Sequence, residues 1–250
     1  MHAITQIRKL SIWIFLVPLL AIHFCLIISQ NPEFLEGTIF AVDQLGRSAF
    51  SIPYLDGSLS ISRASRTFPQ YLIFKPSMIL TAALLYYYWR ENNNLVNKLY
   101  SSDINFYFKT FLPTTKNFKD INFNFKKFGI LSAIFLAIHS IFLGIKFDIQ
   151  IYKLFRRVVL LLFIIFELIA QGLLVYHLYK LKSKLDKFIN KNVLMIKAFL
   201  VSILVIVAIL SLPILVTKGN THFKHALEWN YFVGVVFFYL LSRFFWRRTT

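Results

Sequence analysis

Runs of apolar residues about as long as a membrane is thick constrain this chain more than any other feature. A helix needs about 20 mostly apolar residues to cross a hydrocarbon core of about 30 Å, because it rises about 1.5 Å per residue. The run at 69–89 carries Lys75 and Pro76 near its start, and the others are uninterrupted by charge over most of their length. The predicted spans are 10–29, 69–89, 128–145, 158–177, 193–216 and 229–246. We therefore predict an all-α fold, a single membrane domain over 1–250 built as a polytopic bundle of six transmembrane helices.

The composition excludes the main classes of soluble protein. Only 16% of the residues are charged and 57% are hydrophobic, whereas soluble domains have about 25% charged residues. A net charge of +17 is typical of nucleic-acid-binding proteins, but the membrane-length runs argue against that class, and we predict no nucleic-acid partner. The sequence indicates an integral, multi-pass protein of the plasma membrane or the bacterial inner membrane.

The distribution of Lys and Arg predicts the orientation. The N-terminal segment, the second and fourth connecting segments and the C-terminal tail hold more of these residues than the three segments on the other side. Cytoplasmic segments are usually the positive ones, so we predict that both termini are cytoplasmic. The pair Arg156 and Arg157 runs against this pattern. The fourth segment predicts contacts with anionic phospholipid, through Lys180, Lys182, Lys184 and Lys187.

Two connecting segments are too long to be simple turns. The first extracytoplasmic loop, 30–68, is predicted to be structured, because helically spaced apolar residues over 34–49 are typical of a short amphipathic helix. The second segment, 90–127, carries phenylalanines among lysines and predicts a basic, interfacial stretch.

Ionisable side chains at membrane depth are costly and suggest function. Glu167 lies midway along the fourth span, with Gln171 one turn later, and His139 lies midway along the third. Consecutive spans usually pack together, so Glu167 and His139 could meet as the catalytic acid–base pair of an intramembrane lipid hydrolase or transferase. The alternative is a structural interhelical hydrogen bond, worth about 0.6 kcal/mol.

Three further residues have a spacing that metal ligands use. His222, His225 and Glu228 are three residues apart and would share one helix face, which is compatible with zinc. Lys224 lies among them and no His-Glu-x-x-His motif is present, so we predict no metal and solvated interfacial histidines. The sequence also lacks a phosphate-binding loop and a nucleophile elbow. We predict no cofactor and favour a non-enzymatic protein.

One stretch resembles a known membrane family. It contains Ile-Pro-Tyr-Leu-Asp-Gly at 52–57, Ser-Arg at 62–63, and Phe-Pro-Gln at 68–70 before the second span. This is similar to the damage-regulated autophagy modulators, the fungal Sfk-type proteins and the Golgi GPI-lipid remodelling factor. The sequence departs from the family pattern at Gln70, where the family has an acid.

The resemblance implies six spans, cytosolic termini and a lipid-associated role. The candidate lipid-binding residues are Pro53, Tyr54, Asp56, Arg63, Arg66 and Gln171. Alternatively the loop residues only fold the loop, because proline fixes φ and Asp-Gly favours a turn. We therefore predict lipid binding, sorting or remodelling. The hydrolase or transferase and an accessory subunit of a larger membrane complex are the other hypotheses.

Overall fold

A computed structural model of the chain describes residues 2–41, 50–108, 124–145, 150–183, 185–186, 188–217 and 219–247. Across these ranges the regular structure is helical, apart from an isolated antiparallel bridge between Ile189 and Trp246. The all-α prediction is therefore confirmed. The α-helices are α1 His2–Gln30, α2 Pro53–Asp56, α3 Ile61–Ser65, α4 Gln70–Phe108, α5 Asn124–Phe142, α6 Gln150–Lys180, α7 Lys191–Val216 and α8 Thr221–Phe245, and a 3-10 turn occupies Pro32–Leu35.

Four of the described helices, α1, α5, α6 and α7, are both long enough and apolar enough to cross a membrane. Helices α4 and α8 are also long, but they do not meet the same limits of hydropathy and charge. The outer faces are apolar, with Phe199 68% exposed and Leu210 67% exposed, whereas Glu167 and Lys197 are each 1% exposed. Apolar residues outside and charged residues inside are typical of a bundle solvated by lipid. The structure supports a membrane-embedded protein, and the six-span topology stays a prediction.

The six long helices form a closed ring. Helix α1 packs on α4, each of α4 to α7 packs on the next long helix, and α8 packs on α7 and returns to α1. At one end the Arg8 guanidinium donates to the carbonyl of Trp246 at 2.7 Å. The Ile189–Trp246 bridge places the α6–α7 connection at the same end. The segments next to both termini therefore lie at the same end of the bundle, here called the terminal end. Helices α2 and α3 lie at the other end, here called the loop end, against α1 and α8.

Helix α4 is longer than the predicted second span. Helix α4 continues to Phe108, about five turns beyond the predicted end at 89. No glycine or proline interrupts 90–108, and the Asn92 amide donates to the Tyr88 carbonyl at 2.8 Å, so a polar side chain is satisfied without ending the helix. In the remainder of the predicted interfacial stretch, 109–123 lies outside the described residues and 124–127 forms the start of α5.

The predicted amphipathic helix over 34–49 is not formed in its described part. After the 3-10 turn, residues 36–40 make turns and bends, and 42–49 lie outside the described residues. Gly37 adopts a φ of +75°, a left-handed conformation that interrupts helical propagation.

Candidate functional site

The first loop is seated on α8 by hydrogen bonds between main chain and side chains. The Asn230 amide donates to the Tyr54 carbonyl at 2.8 Å, and the Trp229 indole donates to the Leu59 carbonyl at 2.7 Å. Trp229 is fully buried, so an unsatisfied indole N–H there would be costly. These two bonds hold α2 and the start of α3 against the loop end of α8.

Tyr54 also joins the loop to α1. Its hydroxyl lies 2.7 Å from Nε2 of His23, and the rings of Tyr54, His23 and Trp229 contact one another with centroid distances of 5.1 to 5.9 Å. The other ring nitrogen of His23 lies 2.6 Å from the Leu19 carbonyl. Because the three aromatic side chains contact one another, they hold the loop between α1 and α8.

Asp56 closes its own turn. Its carboxylate accepts hydrogen bonds from the amides of Ser58 at 2.8 Å and Ile52 at 3.0 Å. The Ser58 amide in particular lowers the pKa of the Asp56 carboxyl below its usual value. Pro53 begins α2, where a missing N–H costs least. Of the predicted lipid-binding residues, Pro53, Tyr54 and Asp56 thus make contacts that fold the loop.

The three metal candidates do not converge on one point. His222 and His225 each place Nδ1 against a main-chain carbonyl of the loop, at 3.1 Å from Asp56 and 3.0 Å from Gly57. Glu228 instead faces the main chain of Ile61 and Ser62 at the start of α3. In the described part of the chain, no group of three or more His, Cys, Asp or Glu side chains is arranged to hold a metal ion. The trio instead joins α8 to the loop.

Arg63 and Arg66, two other predicted lipid-binding residues, lie at the loop end together with Arg156 of α6. Desolvation and then the charges of Arg63 and Arg156 lower the pKa of the Arg66 guanidinium. Arg63 and Arg66 are exposed, whereas Arg156 is partly buried. The buried Nε of Arg156 has no hydrogen-bond partner within the described residues. We call these three residues the arginine cluster.

His139 belongs to this end of the bundle and is not paired with Glu167. It is 8% exposed, lies beside the charge and main chain of Arg156, and its Nδ1 has no hydrogen-bond partner within the described ranges. Arg156 precedes Glu167 by eleven residues, which is about 16 Å along α6. Helices α5 and α6 pack together as predicted. His139 and Glu167 lie at different heights along this helix pair, and each contacts other residues.

Glu167 is the centre of a buried polar group in the ring. Its carboxylate accepts from the Ser132 hydroxyl at 2.6 Å, from the Gln171 amide at 3.0 Å, and from the Tyr239 hydroxyl. The Gln171 amide also lies 3.4 Å from the Val235 carbonyl. Gln171, predicted as a lipid-binding residue, is fully buried and supports this carboxylate instead.

A second buried ionisable residue lies nearby on α7. The Lys197 ammonium donates to the Ser242 hydroxyl at 2.7 Å and lies over the rings of Phe238 at 4.0 Å and Phe245 at 5.3 Å. The Tyr88 hydroxyl meets the same Ser242 hydroxyl at 3.0 Å. Ring faces attract cations, so the ammonium is partly compensated without a carboxylate. We call Glu167, Lys197 and the polar side chains between them the interior network.

Two of the four lysines that were predicted to contact anionic phospholipid lie over neighbouring tyrosine rings. Lys180 and Lys182 lie over the rings of Tyr176 at 4.5 Å and Tyr179 at 4.1 Å. Lys184 and Lys187 lie outside the described residues. A cleft of about 450 Å³ at the terminal end is lined by Tyr179, Lys182, Ser183, Asp186, Lys191, Leu194 and Met195.

Sequence reasoning singled out Glu167 and Gln171 but missed most of their partners. Ser132, Tyr239 and Ser242 are ordinary residue types in helices, and no spacing within one helix reveals that they meet across the ring. Lys197 carried a usable signal, because a lysine inside a predicted span is costly unless it is satisfied.

Comparisons of this chain with family models, with curated proteins and with solved structures found no match. The family resemblance of residues 52–70 therefore stays a prediction.

Proposed function

We propose that the chain is a six-span membrane protein that binds the phosphate group of a membrane lipid at the arginine cluster. The observation that carries this proposal is that Arg63 of α3 and Arg156 of α6 lie close enough to Arg66, at the C-terminal end of α3, for their charges to lower the pKa of its guanidinium. Like charges repel, so gathering them has a cost that an anion would offset. No ion pair to any of the three occurs among the described residues.

The chemistry of the cluster suits phosphate. A guanidinium presents donors in a planar fork that matches phosphate oxygens, and such charge-assisted bonds are about twice as strong as neutral ones. His139 adds a buried ring nitrogen without a described partner beside Arg156. Anion binding would therefore relieve both repulsion and an unsatisfied polar group.

The surroundings of the cluster favour a lipid over a free phosphate. On α6, Ile151 is 76% exposed and Leu154 is 61% exposed, within two turns of Arg156. Leu72, at the start of α4, is 47% exposed. Apolar side chains beside exposed cations provide a surface for acyl chains next to the headgroup.

The test is native mass spectrometry of the protein extracted gently from its own membrane. We expect retained phospholipid in the wild type, reduced about tenfold or more in the double variant R63A/R66A and in R156A, because each removes charge-assisted bonds of about 1.5–3 kcal/mol. The matched control is R90A, which removes an exposed arginine on α4 outside the cluster.

Equal lipid retention in the cluster variants and in R90A would refute the site. Competition with glycerol phosphate separates the two sources of phosphate. Displacement of the lipid by the water-soluble headgroup alone at comparable concentration would show that the acyl surface contributes nothing, and that the ligand is a soluble phosphate.

A further inference from the structure

The interior network gathers polar side chains from five helices at membrane depth. Tyr88 comes from α4, Ser132 from α5, Glu167 from α6, Lys197 from α7 and Tyr239 from α8. Each of these residues is at most 1% exposed. The loop and the arginine cluster play no part in it, so its role is separate from the proposed lipid site.

The hydrogen bonds on Glu167 suit a carboxylate. Three donors, the Ser132 hydroxyl, the Gln171 amide and the Tyr239 hydroxyl, address its two oxygens. A neutral carboxylic acid would need an acceptor for its own O–H. The present donors fit the charged form, and the Ser132 hydroxyl, which also lies 2.8 Å from the Gly129 carbonyl, can accept from the acid when its own proton turns to that carbonyl.

Two further buried groups can hydrogen-bond to the Glu167 carboxyl, one to its charged form and one to its neutral form. The buried indole N–H of Trp89 faces Glu167 but completes no hydrogen bond within the described residues. The buried Oε1 of Gln171 also has no described partner, although its Nε2 already bonds to Glu167. A small turn of Trp89 adds a donor for the carboxylate, and Gln171 Oε1 is an acceptor for the O–H of the acid.

Lys197 supplies the opposite charge. It reaches the network through the Ser242 hydroxyl, which also contacts the Tyr88 hydroxyl, and the Tyr88 ring lies 5.0 Å from the ring of Tyr239. These contacts connect the Lys197 ammonium to Glu167 through intervening side chains, without direct contact. The other titratable groups facing the pair are Tyr88 from α4 and Tyr239 from α8. His177 lies about 15 Å further along α6, beside the Phe125 ring.

From this arrangement we infer that Glu167 is a proton-binding site in the membrane interior, with Lys197 as its charge partner. On binding, a carboxylate oxygen uses a lone pair to form one O–H bond with a proton from the aqueous phase, and no other covalent bond changes. The Tyr239 and Ser132 donors then lose an anionic acceptor, while the new O–H turns to Gln171 Oε1. Proton uptake thus weakens the bonds that join α5 and α8 to α6.

The test is a pH titration by infrared difference spectroscopy of the protein in lipid nanodiscs. We expect a protonated-carboxyl band that grows as the pH falls and is absent in E167Q. In K197M the midpoint of this band should rise by about one pH unit, a tenfold increase in proton affinity, because the compensating positive charge is gone. K191M is the matched control, since Lys191 lies at the start of α7, is 61% exposed and pairs with Asp186 at 2.8 Å.

If E167Q does not fold, Y239F gives the same information, because it keeps the ring and removes one donor to the carboxylate. Its midpoint should also rise, which a purely structural role of Tyr239 would not produce. A band that persists in E167Q, or midpoints in K197M and Y239F equal to that of K191M, would overturn the proposal. So would a band that responds to sodium at constant pH, because the site would then bind a metal cation.

Discussion

Gly57 packs against the main chain of His222 so closely that a Cβ on residue 57 would overlap the His222 carbonyl oxygen. Gly57 also has a φ of +60°, the left-handed conformation that ends α2. Its place in the Asp-Gly pair thus serves two purposes: it makes the turn, and it lets the loop approach α8 without a side chain between them.

We predict that G57A releases the first loop from α8. The left-handed backbone alone costs a non-glycine residue about 1–2 kcal/mol, and the overlap with main-chain atoms of His222 adds to this because main chain cannot rotate away. The measurement is the thermal unfolding midpoint in detergent or nanodiscs, with protease sensitivity of 50–60 as a local readout.

G37A is the matched control for G57A. Gly37 has a similar positive φ of +75°, but nothing lies within 4 Å of the position its Cβ would take. G37A should therefore cost only the backbone strain. If both variants lose the same stability, the contact with His222 contributes nothing.

A second prediction concerns the approach of α5 to α4. A Cβ at Gly129 would overlap the indole ring of Trp89, which is fully buried and faces Glu167. We expect G129A to lower the unfolding midpoint, because overpacking of this kind costs about 1–3 kcal/mol.

G172A on α6 should have the opposite effect. The nearest atom to its new Cβ is Cγ1 of Val201 at 3.7 Å, an ordinary contact, and alanine is favoured over glycine within a helix by about 0.5–1 kcal/mol. A G129A variant as stable as G172A would show that α5 can shift without cost.

A third prediction follows from the lowered pKa of Asp56. A carboxyl whose pKa is lower in the folded state stabilises that state above its unfolded pKa of about 3.9, and the contribution disappears as the pH falls through the folded value. The wild type should therefore be more stable than D56N at neutral pH, and this advantage should shrink in acid. Because Asp56 is exposed, the effect is small.

The measurement is the difference between the unfolding midpoints of wild type and D56N as a function of pH. E36Q removes an exposed carboxylate of the same loop and is the control. A wild-type advantage over D56N that does not vary with pH would mean that shape, and not ionisation, determines the contribution of Asp56.

How much the sequence predicts differs between local and long-range features. Apolar runs locate the long helices because hydrophobic length depends only on neighbouring residues. The polar residues from Arg90 onward predict the end of a membrane span at 89. The helix itself continues to Phe108, because nothing in 90–108 breaks a helix. Membrane depth and helix length are separate properties, and only the first is read from polarity.

The site illustrates the same limit. Glu167 was identified because a carboxylate at that depth is costly, but its expected partner His139 lies beside Arg156. Which residues meet depends on helix rotation and on the closing of the ring by α8, which brings Tyr239 to Glu167 from 72 positions away. A single sequence contains no signal for such contacts.

The orientation of the bundle gives the last prediction. The terminal end carries Arg8 and the α6–α7 connection, and the positive-inside rule predicts that this end is cytoplasmic.

Cys25 is the single cysteine and is fully buried, so the wild type should not react with a membrane-impermeant thiol reagent. In intact cells L55C, on the exposed face of α2, should react, whereas K9C should react only after permeabilisation. The reverse pattern would invert the topology and place the arginine cluster in the cytoplasmic leaflet, and labelling of both positions in intact cells would mean that the two ends do not lie on opposite sides of the membrane.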